Sequence, residues 1–176
     1  DSDAFFINRV SDDYDVRKYK DQIDSKSSKF LGTVKEGGYF KETMRGDGKG
    51  RASFSSIYFL LTQNDISHFH RIDADEVWYY HAGQTLKIHM ITPKGEYQTV
   101  KLGRDIDCGE CLQYCVPKGT IFASTLDSAE GYSLVGCMCQ PGFEYEHFEL
   151  LTQEYLIRQY PQYESIIKRL AISQED

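Results

Sequence analysis

Between Phe54 and Cys139 the sequence consists of short runs rich in aromatic and branched residues, separated by turn signals. Polar or Pro-Gly segments such as Gln63–Asp65, Pro93–Gly95 and Pro117–Gly119 break the runs at hairpin spacing. Such a series is typical of an antiparallel sandwich or barrel, and we expect an all-β domain. The runs are Phe54–Thr62, Ser67–Ile72, Glu76–His81, Thr85–Thr92, Tyr97–Leu102, Cys111–Val116, Ile121–Leu126 and Tyr132–Cys139.

The two ends of the chain differ from this middle part. Thr152–Tyr160 and Gln162–Ile172 carry apolar residues at helical spacing, with Pro161 between them, which predicts two short C-terminal helices. Residues 1–28 are polar, and we expect a surface arm or a peripheral helix there.

Length and charge limit the classes of partner. The chain has 176 residues, the size of one domain, and a net charge of -7, which disfavours a broad basic surface for nucleic acid. No apolar stretch approaches the ~20 residues of a membrane helix, so we expect neither nucleic acid nor membrane as a partner. Without a secretory leader the sequence favours a cytoplasmic protein, and a start at Asp1 rather than Met leaves secretion open.

The five cysteines are Cys108, Cys111, Cys115, Cys137 and Cys139, an odd number in two clusters. A disulfide framework is normally even and belongs to shorter chains, so we expect reduced thiols packed as small apolar residues.

The segment Ser67–His70 carries the chemistry that stands out most. Side chains alternate along a strand, so His68 and His70 are predicted to share one face, and Glu76 opens the next strand. Two imidazoles and one carboxylate suit a divalent metal such as Fe, Mn, Ni or Zn.

This arrangement resembles the first motif of the cupin superfamily, an HxH pair followed by Glu-x6-Gly, here Glu76 and Gly83. The second cupin motif ends in Pro-x-Gly-x-x-His, and here Phe122 stands in the place of that histidine. A phenyl ring cannot coordinate a metal, so the metal set of His68, His70 and Glu76 is incomplete. The resemblance therefore does not firmly imply a cofactor, and a divalent metal stays an open alternative.

A more specific resemblance is to the cupin_5 family, also called DUF985, whose motifs follow one another in order over residues 30–151. The matching segments are Glu36–Thr43 (EGGYFKET), Ser56–Leu61 (SIYFLL), Ser67-x-x-His70-Arg71, Asp75-Glu76-x-Trp78, Leu102-Gly103, Val116-Pro117-x-Gly119, Leu134–Cys137, Pro141–Glu144 (PGFE) and Phe148–Leu150.

The resemblance implies a double-stranded β-helix, or RmlC-like jelly roll, over residues 29–151. The arm of residues 1–28 and the helical extension of residues 152–176 would flank it. It also implies a homodimer and a barrel similar in shape to sugar-nucleotide epimerases. Most members of the family have no assigned activity, so the resemblance implies the fold more strongly than the reaction.

Candidate site residues follow from the motifs and from strand alternation. We expect His70, Glu76 and Tyr58 to be catalytic. The alternatives are a purely structural hydrogen bond between His70 and Glu76, and core packing for the ring of Tyr58. Ligand contacts are predicted for Tyr39, Ser67, Trp78, Tyr80, Gln113, Phe122 and Phe143.

Three functions compete at this point. The leading hypothesis is a small-molecule-binding cupin without a firmly bound metal, acting by epimerisation or isomerisation with His70 as base. The second is a metal-dependent dioxygenase or isomerase that uses His68, His70 and Glu76. The third is a non-catalytic binding or storage protein.

Overall fold

The computed structural model describes residues 37–173 and the backbone of residues 32–33. The predicted N-terminal arm, residues 1–28, lies outside the described residues. The described chain forms two antiparallel sheets that face each other, with most of the apolar side chains between them. This architecture confirms the all-β jelly-roll expectation.

The eight predicted runs all form strands, and three further strands flank them. In chain order the strands are β1 Gly32–Thr33, β2 Tyr39–Arg45, β3 Ser55–Thr62, β4 Ser67–Ile72, β5 Asp75–Gly83, β6 Leu86–Ile91, β7 Tyr97–Leu102, β8 Gln113–Val116, β9 Ile121–Leu126, β10 Tyr132–Gln140 and β11 Phe148–Leu150.

The strands are divided between a six-stranded and a five-stranded sheet. The six-stranded sheet has the order β1-β2-β3-β10-β5-β8, and the five-stranded sheet has the order β11-β4-β9-β6-β7. Strands close in sequence therefore often lie in opposite sheets, as expected when a chain winds around a barrel.

Every second side chain of a strand points into the space between the two sheets. Side chains on the inner faces, among them Phe59, Trp78, Ile88, Phe122 and Val135, form one buried cluster. Gly83 ends β5 with a φ of 93°, a conformation that favours glycine, and a Cβ there would collide with the Tyr132 carbonyl. The inner faces of the two sheets therefore form one packed core.

The two predicted C-terminal helices are present as α1 Gln153–Gln159 and α2 Glu164–Leu170. The Thr152 side chain caps α1 by accepting a hydrogen bond from the Tyr155 N–H. Leu156, Ile167 and Leu170 are buried with Phe69 on the outer face of the five-stranded sheet. Within the described residues, no helix is long and apolar enough to cross a membrane.

Candidate functional site

A cavity of about 560 Å³ opens at one end of the barrel, between the two sheets. Its walls come from β2, β3, β4, β5 and β10 and from the loops that follow β2 and β10. Apolar side chains cover part of the wall, and His70, Glu76 and Ser55 contribute buried polar groups. This combination of apolar surface and a few convergent polar groups is typical of a small-molecule site.

His70 projects from β4 into the cavity and is 5% exposed. Its Nδ1 lies 2.7 Å from the carbonyl oxygen of His68, a contact that fixes the ring against its own strand. The ring packs between Phe122, at 4.1 Å between centroids, and Phe148, at 5.4 Å. The imidazole is therefore held in one orientation, with part of it facing the cavity.

Glu76 lies near the start of β5, opposite Cys139 on β10, and is 8% exposed. The Cys139 thiol is hydrogen-bonded to the Glu76 carboxylate. Burial raises the pKa of Cys139 far above its usual value, and the negative charge of Glu76 raises it further. The thiol therefore stays protonated and acts as a donor to Glu76 rather than as a nucleophile.

The loop after β10 forms one side of the cavity mouth. Phe143, Glu144, Tyr145 and Glu146 all line it. The Phe143 N–H donates to the Ser55 hydroxyl at 2.8 Å, and the rings of Phe143 and Tyr145 meet edge to face at 5.0 Å between centroids. The loop is thus attached to the sheet and presents aromatic and carboxylate groups together.

Two arginines brace the rim through paired hydrogen bonds. Arg45 binds Glu42 with Nη2 at 2.7 Å and donates to the Phe143 carbonyl. Arg51 binds both carboxylate oxygens of Asp73 at 2.8 Å, and its Nε donates to the Gly142 carbonyl at 2.7 Å. The Arg51 guanidinium lowers the pKa of Asp73. Both cations therefore have carboxylate partners of their own.

Three of the residues predicted from the sequence line this cavity, namely His70, Glu76 and Phe143. Phe122 and Trp78 lie in the core beneath it, with Phe122 in contact with His70. Tyr80 packs against the same core, and its hydroxyl donates to the Gly83 carbonyl at 2.7 Å.

Four predicted residues lie away from the cavity. Tyr39 and Tyr58 belong to a separate apolar cluster on the outer face of the six-stranded sheet. Gln113 is exposed opposite Tyr79, and Ser67 is buried opposite Ser124. The structure therefore does not bring Tyr58 beside His70.

His68 also points away from His70, contrary to the expectation that the two rings share a face. The pairing of β4 with β9 contains a β-bulge between Ser67 and His70, which interrupts the alternation of side chains. The Nδ1 of His68 lies 3.1 Å from the carbonyl oxygen of Leu170 in α2, on the helical side of the sheet.

The barrel consequently does not fit the metal set His68, His70 and Glu76. Within the described part of the chain, one group of three potential ligand side chains has its donor atoms within 4.8 Å of one another. That group is Glu144, Glu146 and His147 at the cavity mouth, not the residues at the cupin motif positions.

Sequence reasoning missed several lining residues. Cys137 and Cys139 were expected only as reduced thiols packed as small apolar residues, and they line the cavity beside Glu76. Glu144, Tyr145 and Glu146 were not predicted, although they directly follow the Phe143 position of the PGF element. The sequence did carry a signal for them. They belong to a loop with aromatic and acidic residues, and this loop adjoins Phe143, which was a predicted ligand contact.

Comparisons with known proteins agree with the fold. A family model described as Cupin superfamily (DUF985) matches residues 29–151. The uncharacterized protein YML079W of Saccharomyces cerevisiae is 30% identical over 141 residues, which cover 68% of this chain and 70% of that protein.

Solved structures show the same similarity. Protein SO0799 from Shewanella oneidensis is 44% identical with a TM-score of 0.80, over 88% of this chain and 98% of that chain. A hypothetical protein from Leishmania major is 37% identical with a TM-score of 0.79, over 91% and 100%. Oxalate decarboxylase from Bacillus subtilis is 15% identical with a TM-score of 0.54, over 84% of this chain and 38% of that chain. At this level of identity the similarity concerns only the fold.

Proposed function

Since the chain belongs to the DUF985 family of the cupin superfamily, we propose that it binds a small organic molecule in the cavity of its barrel. The observation that supports this proposal is the convergence of His70, Glu76 and Ser55, all buried, on a cavity of about 560 Å³. Such a volume is in the range of ligand pockets, roughly 300–1,000 Å³.

The mixed composition of the wall supports binding of a molecule that carries both apolar and polar groups. Phe40, Ile57 and Ile72 supply an apolar surface, whereas Glu76 and His70 supply a polar one. Burial of an apolar group contributes about 25 cal/mol per Å² of area removed from water, and the polar groups fix the orientation.

The proposal does not include the epimerisation expected from the resemblance. That reaction would use His70 as base and a tyrosine as proton donor, and Tyr58, the predicted catalytic tyrosine, lies on the opposite face of the six-stranded sheet. Tyr145 is the tyrosine that lines the cavity with His70.

Filling the cavity should abolish ligand binding. Ile57 lines the cavity from β3, so Ile57→Trp is expected to place an indole in the ligand's space. Ile106→Trp is the matched control, because Ile106 is 54% exposed in the loop between β7 and β8. A fragment library screened by ligand-observed NMR should give compounds that bind the wild type and the control and not Ile57→Trp.

Circular dichroism and thermal unfolding of both variants would establish that each is folded. Fragments that bind Ile57→Trp and the wild type equally would place binding outside the cavity. An empty screen on the wild type would contradict the proposal itself.

We also propose a homodimer, on the grounds of the family resemblance. Light scattering at micromolar concentration should then give twice the chain mass of 20.3 kDa. A mass of one chain across that range would refute the dimer.

A further inference from the structure

We propose that the indole N–H of Trp78 donates a hydrogen bond to the molecule bound in the cavity, which must then carry an acceptor oxygen such as a carbonyl. This inference rests on the proposed binding function and adds the chemical class of the ligand. It follows from a buried donor that has no partner among the described residues and from its position directly beneath the cavity.

The Nε1 atom of Trp78 is buried and has no hydrogen-bond partner within the described part of the chain. The residue is 3% exposed, so bulk solvent does not supply one. Most buried polar groups in proteins are hydrogen-bonded, tryptophan N–H groups included, and an unpaired one costs stability. Packing of the ring in the core therefore explains the apolar part of this side chain and not its donor.

The indole differs from the other buried side chains that lack a partner. Among the described residues these are Gln63, through Oε1, and the hydroxyl groups of Thr120, Ser124 and Ser133. A hydroxyl rotates to suit a nearby acceptor, and the amide of a glutamine can be turned over. An indole N–H only donates, in a direction that the ring fixes, so Trp78 is the side chain for which a missing acceptor matters most.

The pairing of the strands places Trp78 next to the cavity wall. Trp78 on β5 lies opposite Cys137 on β10, and Cys137 lies opposite Ile57 on β3. Both Cys137 and Ile57 line the cavity, as does Glu76, which precedes Trp78 by two positions on the same face of β5. Opposed side chains in a sheet have Cβ atoms about 4.5–5.5 Å apart, so the indole begins one side chain away from the wall.

The rings around the indole do not offer a strong acceptor. Phe59 and Phe122 stand nearly perpendicular to it, at 76° and 88°, with centroids 5.9 and 6.2 Å away. A ring face is a much weaker acceptor than an oxygen. A buried water needs about two to four polar partners, and these rings and Ile57 supply none. An oxygen that belongs to a larger molecule does not need them, because the cavity holds the rest of that molecule.

A donor of this kind selects for an acceptor. The N–H of Trp78 is already removed from water, so it gains a hydrogen bond on binding without losing one to solvent. A ligand with a methylene group in the place of the oxygen leaves the donor unpaired. Sites that are built to hydrogen-bond one group of a ligand strongly reject analogues that lack this group.

Two probes of the same shape test the class. Acetophenone and α-methylstyrene differ in whether an oxygen or a methylene is double-bonded to the carbon beside the ring. Each is titrated by NMR into the purified full chain. The hydrocarbon gains more from apolar burial in every variant, so the informative quantity is the ratio of the two affinities, compared between variants as in a double-mutant cycle.

Variants assign the ratio to the indole. Trp78→Phe keeps an aromatic ring and removes the N–H, so the acetophenone affinity relative to that of α-methylstyrene should fall about tenfold. Tyr114→Phe is the matched control, because Tyr114 lies opposite Trp78 on β8 and packs against the same core outside the cavity wall. Its ratio should stay within about twofold of the wild type. Circular dichroism establishes that both variants are folded.

The wild type provides a direct readout that needs no substitution. Trp78 is the single tryptophan of the chain, so an isotope-labelled sample gives one indole N–H signal. We expect the indole proton to lie further downfield in the acetophenone complex than in the α-methylstyrene complex, because hydrogen bonding shifts a proton downfield. The two probes carry the same ring, so the effects of ring currents on the difference largely cancel.

The outcomes separate the two proposals. An unchanged ratio in Trp78→Phe, or an indole proton at the same position with both probes, would overturn the Trp78 donor, and binding that is lost in Ile57→Trp would still leave the cavity as a ligand site. If neither probe binds, the indole signal is followed with the hits of the fragment screen, and hits that do not shift it downfield overturn the donor as well. No binding by either probe, together with an empty screen, would overturn both proposals.

Discussion

Replacing Phe122 with alanine is expected to lower the free energy of unfolding by about 3–5 kcal/mol, the largest effect that we predict for a single substitution. Phe122 is 1% exposed and lies where β9 pairs with both β4 and β6. Its ring contacts His70 at 4.1 Å and Trp78 at 6.2 Å between centroids.

The size of the effect follows from the surroundings of the ring. The truncation removes apolar area from the core, and the paired strands β4 and β6 hold the backbone of β9 in place, so a cavity remains. His70 also loses its ring contact with Phe122, so its imidazole should be held less firmly at the wall of the cavity.

Urea unfolding of the wild type, Phe122→Ala and Phe122→Leu, followed by circular dichroism, measures this effect. The leucine variant retains most of the volume and should lose about 1.5 kcal/mol. If the alanine and leucine variants lost equal amounts, or if alanine cost less than about 1.5 kcal/mol, the packing of the Phe122 ring in the core would not be the source of the effect.

The sequence predicted the inner strands well, because each is a run of β-forming residues closed by a turn signal. Ser67–Ile72, Tyr97–Leu102 and Ile121–Leu126 have the same bounds in the structure as in the prediction. β2 and β11 were not in that series. Four of the seven residues of β2 are charged or polar and the strand is largely exposed, so the apolar pattern was absent there.

The candidate site was predictable only in strands whose side chains alternate regularly between the two faces of the sheet. His70 and Glu76 were placed in the cavity correctly, since each belongs to a strand with one buried face. The bulge in β4 turns His68 to the helices, and no residue in Ser67–His70 signals that extra position. Tyr58 shows the same limit, because alternation does not say which face of the six-stranded sheet is the inner one.

A second large effect concerns His89, which the sequence analysis did not select. His89 is 2% exposed on β6 and points to the face of the five-stranded sheet that carries the helices. Its Nδ1 lies 2.8 Å from the Tyr97 hydroxyl and its Nε2 lies 3.0 Å from the Thr125 hydroxyl. A neutral ring satisfies both contacts, one as donor and one as acceptor.

The pKa of His89 is lowered to about 4, first by burial and then by the positive charges of Arg169 on α2 and Lys87 on β6. Asp127, which follows β9, acts in the opposite direction and is itself bound to Lys87 and Lys101. The ring of Tyr97 on β7 stacks at 6.3 Å, and burial raises the pKa of that tyrosine. His89 therefore remains neutral in the folded protein at pH 5.

The sign of the pH dependence follows from the unfolded chain, where a histidine has a pKa of about 6.5. Between pH 6.5 and 4 the unfolded state binds a proton that the folded state does not, so acidification favours unfolding. This group alone should cost about 2 kcal/mol of stability between pH 7 and pH 5, and its effect should be complete below pH 4.

Urea unfolding at pH 7 and pH 5 of the wild type and His89→Gln isolates this contribution. Glutamine keeps one donor and one acceptor without a proton to gain, so its loss of stability on acidification should be about 2 kcal/mol smaller than that of the wild type. All other titrating groups are common to both proteins and cancel in the difference. An equal loss in the two proteins would show that His89 is protonated in the folded barrel at pH 5, and that acid acts on the fold through other residues.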